Sequence, residues 1–319
     1  MDTDSYNDSH RAFVQAFLSR STLTLETARP ILSAIFSVHE DREVLANDIT
    51  VEDLNSYVTA ANTALSPLDL EIRSGFHQVT RERYYCLVNT SSDALTQLAT
   101  TYTADEINYV KRLLDAMFDT NNKGRKEAMC VSGIEAVQLA KSGRRETQAG
   151  TQAQGMGMRD AESVLARLVE EGWLEKSKKA FYSLSARGLM ELKGWLVETY
   201  NDEEEDEDGR TRIRFCTACK EIVMVGQRCA RRDCPCRLHD ICTQNFFRMQ
   251  RSQTCPVCKT AWDGKSFVGE KAITTSESYL VGKRRSGKQT QPDPEPEPES
   301  GEGEGEEDGI DGEEDGDEA

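Results

Sequence analysis

The sequence predicts a mostly α-helical chain with small β wings: tandem winged-helix domains, then a two-zinc cysteine–histidine module, then a disordered acidic tail. Three observations predict it. Helical-period segments lead twice into a pair of short strand-like segments joined by a turn. Eight of the ten cysteines fall between residues 216 and 258. Residues 291–319 carry 15 acids and no Lys or Arg.

In the first repeat, expected over 1–98, "HRAFVQAFLSR" (10–20) places Phe13, Ala16 and Phe17 at helical spacing. Residues 25–38 form a second helix, in which Pro30 demands a kink or a late start. "TVED" (50–53) is a capping box with Asp in place of Glu. It opens a third helix with Leu54, Val58, Ala61 and Leu65. "LDLEIR" then alternates at strand period, "SG" turns, and "RYYCLVN" returns.

The pattern recurs over 99–200. "TADE" (103–106) caps a helix bearing Ile107, Val110, Leu114, Met117 and Phe118. Helices at 130–140 and 159–171 follow, separated by a disordered loop at about 143–157 that lacks apolar period. "GWLEKSKKAFYSL" reads as strand, Lys-rich turn and strand, and Ser185 caps a closing helix. An acidic linker (201–209) leads to the cysteine module (210–265), and 266–319 is expected to be a disordered, basic-then-acidic tail.

Composition narrows the class. The apolar fraction is 37%, low for one compact body. No run of 18 apolar residues exists, so no membrane span is expected. "MDTDSYNDSH" has neither the basic nor the apolar region of a signal peptide, which points to an intracellular protein with reduced thiols. The net charge of −17 lies almost wholly in the tail, whereas 209–265 holds 12 Lys/Arg against 4 Asp/Glu. Two Zn²⁺ and seven thiolates would leave that module at about +5.

The candidate ligands are Cys216, Cys219, Cys229, Cys234, Cys236, His239, Cys242, Cys255 and Cys258, nine for the eight places of two tetrahedral zinc sites. C-x2-C supplies two ligands from one tight turn, and cysteines set among Arg, Lys, Asp and Gln are not core residues. The order, four cysteines, one histidine, three cysteines, fits both RING and PHD fingers. Both interleave their ligands: Cys216, Cys219, His239 and Cys242 for one metal, Cys229, Cys234, Cys255 and Cys258 for the other. "CPVC" at the last pair, Gln253 where a PHD finger carries an aromatic, and the basic charge favour the RING. A conventional RING spacing would instead use Cys236 and leave Cys229 spare.

Beyond the module, the chain resembles the non-SMC element 1 family, the RING-type subunit of the structural maintenance of chromosomes five–six complex. The resemblance covers about residues 8–265. It rests on "HRAFVQAFL", "YYCLVN", "DAESVLARLVEEGWLEK", "FYSLSARGLMEL", "VETYND", "CTACKEIVMVGQRC", "RLHDIC" and "CPVCKTAW". "VGQRC", which ends at Cys229 with nine residues between it and Cys219, matches the family and selects Cys229 as the ligand and Cys236 as the spare. The resemblance implies a RING-type E3 ubiquitin ligase in DNA repair and a nuclear, chromosome-associated complex. It also implies a MAGE-like winged-helix partner, a kleisin partner and an E2 ubiquitin-conjugating enzyme.

A RING ligase needs no catalytic residue of its own, and none is expected here. The E2 face is only partly legible. Lys220 and Glu221 follow the second ligand, with Ile222 the first apolar residue, while Pro256 and Val257 suit the last loop and Phe246 and Phe247 read as core. The alternative is a non-catalytic scaffold, or a PHD-like chromatin- or DNA-binding module. A weak DNA contact is the second reading, although the helix at 50–65 has no basic residue and Arg159 and Arg167 are outnumbered by acids on theirs. His10, His39 and His77 read as surface or helix residues, and Cys86 and Cys130 as core.

Overall fold

The computed structural model describes residues 6–90, 101–123, 126–141, 156–201, 211–276 and 279–280. The expected linker after Asn201, the tail from 281 onward and most of the expected loop at 143–157 lie outside them. No helix among the described residues is long and apolar enough to cross a membrane.

The first domain runs α1 (Asp8–Arg20), β1 (Thr22–Thr24), α2 (Leu25–His39), α3 (Val51–Leu65), β2 (Leu70–Phe76) and β3 (Arg83–Asn89). The strands form one antiparallel sheet in the order β1-β3-β2. Three helices and a strand hairpin follow in the expected order, but the turn expected at Ser74–Gly75 instead lies inside β2, paired with Tyr85 and Tyr84. Local chemistry sets the helix starts: Asn7, Thr24 and Thr50 each close a capping box, the last with Asp53 as its carboxylate. The second helix does not start late; Thr24 caps it at Leu25 and Pro30 lies inside it. Phe13, Phe17, Leu32, Leu54, Ala61 and Ile72 fill the core. His10, expected at the surface or in a helix, lies in a helix but is buried. Its ring stacks on Tyr57 at 4.5 Å between centroids.

The second domain repeats the order with α4 (Ala104–Asp115), β4 (Val131–Ser132), α5 (Gly133–Leu139), α6 (Met158–Glu170), β5 (Leu174–Lys176), β6 (Phe181–Leu184) and α7 (Ala186–Tyr200). Its sheet order is β4-β6-β5. Thr103 and Glu106 form the expected capping box, and Ser185 accepts from the Gly188 amide to cap α7. The helix at 104–115 continues into one wide turn at Ala116–Thr120, which buries Met117 and Phe118.

The zinc-type module consists of β7 (Gly226–Arg228), β8 (Arg237–His239), α8 (Asp240–Gln250), β9 (Phe267–Val268) and α9 (Glu270–Thr274), with sheet order β8-β7-β9. Two features differ from expectation. First, the residues after 265 do not enter a tail at once. Phe267 and Val268 pair with β7, and Gly269 donates to the Glu127 carbonyl at 2.7 Å. Those partners are distant in sequence, so no local period signals them.

Second, the module does not carry a separate core. Ile213, Ile222, Val223, Met224, Leu238, Phe247 and Val268 form one continuous apolar cluster with the second domain. The junction is also polar. Arg237, 1% exposed, donates to the Glu127 carboxylate through Nε (2.6 Å) and Nη2. Its Nη1 reaches the Cys234 and Cys236 carbonyls at 2.7 and 2.8 Å.

Truncating Glu127 leaves that guanidinium buried without its counter-charge. Glu127→Ala is expected to cost about 3–5 kcal/mol, read as the shift in urea unfolding free energy. The exposed pair Arg42–Glu40 supplies the control: Glu40→Ala should change stability by less than about 0.5 kcal/mol. Equal effects of the two substitutions would show that Arg237 finds water when its partner is removed.

Candidate metal centre

Each C-x2-C pair is set by a short hairpin. Cys216 N donates to Glu221 O at 2.8 Å, and Lys220 N returns to Cys216 O at 2.9 Å. The second pair repeats it: Cys255 N to Thr260 O at 2.8 Å, Lys259 N to Cys255 O at 2.9 Å. Lys220 and Lys259 take the left-handed backbone, φ 64° and 62°, which closes each turn at a small steric cost. Of the other ligands, Cys229 directly follows β7, Cys234 lies in the loop before β8, His239 ends β8 and Cys242 lies in the first turn of α8. Gly226 faces His239 across that ladder, and a Cβ there would lie 2.2 Å from the Leu238 carbonyl oxygen. Only glycine permits this approach.

The predicted ligands converge in two groups of four. Cys216, Cys219, His239 and Cys242 form one, and Cys229, Cys234, Cys255 and Cys258 the other. In each, all ligand atoms lie within 4.8 Å of one another. A Zn–S bond of about 2.3 Å in a tetrahedron sets sulfurs about 3.8 Å apart. The Sγ separations Cys229–Cys258 and Cys234–Cys255 are 3.4 and 3.5 Å, and His239 Nδ1 lies 3.3 and 3.8 Å from the Cys219 and Cys242 sulfurs. Each group therefore fits one zinc ion with no open position. The pairs interleave, first with third and second with fourth.

Cys236 joins neither group. It is 1% exposed, and its sulfur lies 3.4 Å from the Thr217 hydroxyl. His239, 2% exposed, donates from Nε2 to the Ile222 carbonyl at 3.0 Å, which turns Nδ1 toward the sulfurs. Burial pushes the Cys229 and Cys242 thiols up to about 12, so thiolates there need a cation beside them. Outside the two groups, burial pushes Cys86 up to about 11 and Cys130 up to about 12, which keeps these core thiols neutral and inert.

The face around the groups is mixed. Ile222 is buried and unavailable to a partner, and Phe247 packs on Trp262 at 5.4 Å between centroids. Ala218, Met249 and Val257 are exposed, Met249 at 83% and Val257 at 53%. Met249, with Phe246, also borders a groove of about 1340 Å³ walled by Phe76 of β2 and by Leu189 and Met190 of α7. The sequence does not single out Met249, because one methionine on a short helix carries no pattern. Among the cations of this part of the chain, Arg167 is tied to Glu106 at 2.5 Å and lies over the Tyr102 ring, Lys176 lies over Tyr182, and Lys179 pairs with Glu270.

Two family models match the chain. Residues 10–192 match the family model described as "Nse1 non-SMC component of SMC5-6 complex", and residues 216–258 match a RING-like domain. Among curated relatives, "Non-structural maintenance of chromosomes element 1 homolog" of Homo sapiens is 22% identical over 80% of this chain and 84% of its own. "Non-structural maintenance of chromosomes element 1" of Schizosaccharomyces pombe is 22% identical over 83% and 97%. A solved structure, "Nse1-Nse3-Nse4 complex", has a similar fold: TM-score 0.64 and 23% identity over 82% of this chain and 98% of that one. Since the family model spans more than half of its residues, the chain belongs to the family of the Nse1 non-SMC component of the SMC5-6 complex.

Proposed function

We propose that the chain is a RING-type E3 ubiquitin ligase subunit of an SMC5-6 complex, acting at chromosomes in the nucleus. Two structural zinc ions are held by Cys216, Cys219, His239 and Cys242, and by Cys229, Cys234, Cys255 and Cys258. The observation that carries the reading is the interleaved pair of closed four-ligand groups beside exposed Ala218, Met249 and Val257. Closed sites give zinc no place for a reactive water, so the ions shape a surface. That surface docks an E2 carrying ubiquitin as a thioester. A substrate lysine amine attacks the thioester carbonyl, the isopeptide bond forms, and the E2 thiol leaves. The chain supplies position, not a nucleophile. The solved neighbour is a complex of Nse1 with Nse3 and Nse4. By that likeness, a MAGE-like subunit and a kleisin subunit are the proposed partners here.

The E2 face is small, since Ile222 is taken into the core. Chain formation is therefore expected to be weak for the isolated chain and stronger with the MAGE-like partner. In an autoubiquitination assay with that partner, Val257→Ala and Met249→Ala should each reduce chain formation several-fold while two zinc ions per chain remain. Absence of chains across a panel of E2 enzymes, with zinc confirmed, would leave the chain a scaffold.

Metal content tests the ligand assignment directly. Cys236→Ser should retain two zinc ions per chain by a metallochromic indicator. Cys229→Ser should lose one, since a four-thiolate site does not close on three thiolates. The reverse outcome would exchange the two residues.

A further inference from the structure

The first domain touches the metal module at one point that the ligase reading does not use. The β2–β3 wing tip carries His77 and Gln78. His77 Nδ1 accepts the Val79 and Thr80 amides at 3.3 and 3.1 Å, and Nε2 faces the Glu175 carboxylate of β5 at 3.2 Å. Gln78 reaches the module itself. Its Oε1 accepts the Met224 and Val225 amides at 2.9 and 3.0 Å, and its Nε2 donates to the Ile222 carbonyl at 2.8 Å. That carbonyl is the one that receives the Nε2 proton of His239.

We propose that Gln78 is a positioning residue of the first zinc site, so that metal at that site and docking of the first domain's wing stabilise each other. A carbonyl oxygen has two lone pairs, so Gln78 and His239 share Ile222 without competing for one. Ile222 forms an isolated bridge with Phe215 and Val223 N donates to the Arg214 carbonyl, but residues 223–225 lie in neither a helix nor a strand, and Gln78 clamps three backbone groups of 222–225 with one amide. The clamp fixes the acceptor, the acceptor fixes the His239 ring and its tautomer, and the ring presents Nδ1 to the sulfurs. Direct hydrogen-bond partners of a ligating histidine typically change metal affinity by about 10–100-fold when removed, and Gln78 acts through such a partner, the Ile222 carbonyl. The coupling is reciprocal: a metal that holds His239 also holds the carbonyl on which Gln78 rests.

The inference rests on the assignment of Cys216, Cys219, His239 and Cys242 as one site. Zinc counts of Cys219→Ser and Cys242→Ser, one ion fewer in each, test that assignment separately. The experiment uses the full chain and follows zinc release into excess chelator, with Cys219→Ser and Cys258→Ser marking the release from each site. Gln78→Met keeps the side chain's length and removes its hydrogen bonds. It should release the first-site ion several-fold faster, up to about 10-fold, and leave the second-site ion unchanged. Unchanged release of both ions, or equal acceleration of both, overturns the proposal. In the reverse direction, amide exchange across residues 77–82 should quicken in Cys219→Ser and not in Cys258→Ser. A wing whose exchange ignores the first site overturns it as well.

Discussion

The guanidinium of Arg237 is the junction on which the rest of the molecule depends. A buried arginine is tolerated only when every face of its fork is satisfied. Here two nitrogens take the Glu127 carboxylate of the second domain and the third takes the carbonyls of Cys234 and Cys236. One side chain thus ties a ligand-bearing loop to Glu127, 110 residues earlier in the chain. It also fixes β8, whose last residue is His239. A less complete set of partners would make this charge a liability rather than an anchor.

Why the module needs such an anchor follows from its size. Residues 216–258 are too few to bury a sufficient core alone. Small modules answer this with metal, and two closed zinc groups supply much of the missing stability. The apolar remainder, Ile213, Val223, Leu238 and Val268, packs in one continuous cluster with the second domain. Folding of the module and docking onto the second domain are therefore one process. The same economy explains Ile222: a residue that could have faced a partner is drawn into the shared core.

The metal groups were legible in the sequence because coordination is local and chemically narrow. Two hairpin pairs, one histidine and a fixed order left only Cys229 against Cys236 open, and the geometry places Cys229 with three sulfurs and Cys236 with a hydroxyl. The helices were legible through caps, as at Thr50 and Thr103, whose reciprocal bonds lie within four residues. What stayed hidden is non-local. The strands β1 and β4, three and two residues long, are too short to show a period and exist only because β3 and β6 pair with them. Phe267 and Val268 form a strand because β7 accepts them. Gln78 looks like any polar turn residue until the fold brings it 144 positions along the chain to Ile222.

These non-local contacts divide the module's surface between two tasks. Its inner face is consumed by the shared core, Arg237 and the wing of the first domain. Ala218, Met249 and Val257 are left outside. Catalysis by positioning has a specific physical demand: the held reactant must not drift, since a displacement of about 1 Å can cost about 100-fold in rate. A zinc module hung on a flexible linker would meet that demand poorly. One fixed by a buried ion pair, a continuous apolar cluster and a clamp on residues 222–225 meets it through its own architecture. Under the proposed ligase role, rigidity on the buried side is what would let so small an exposed face serve as a platform.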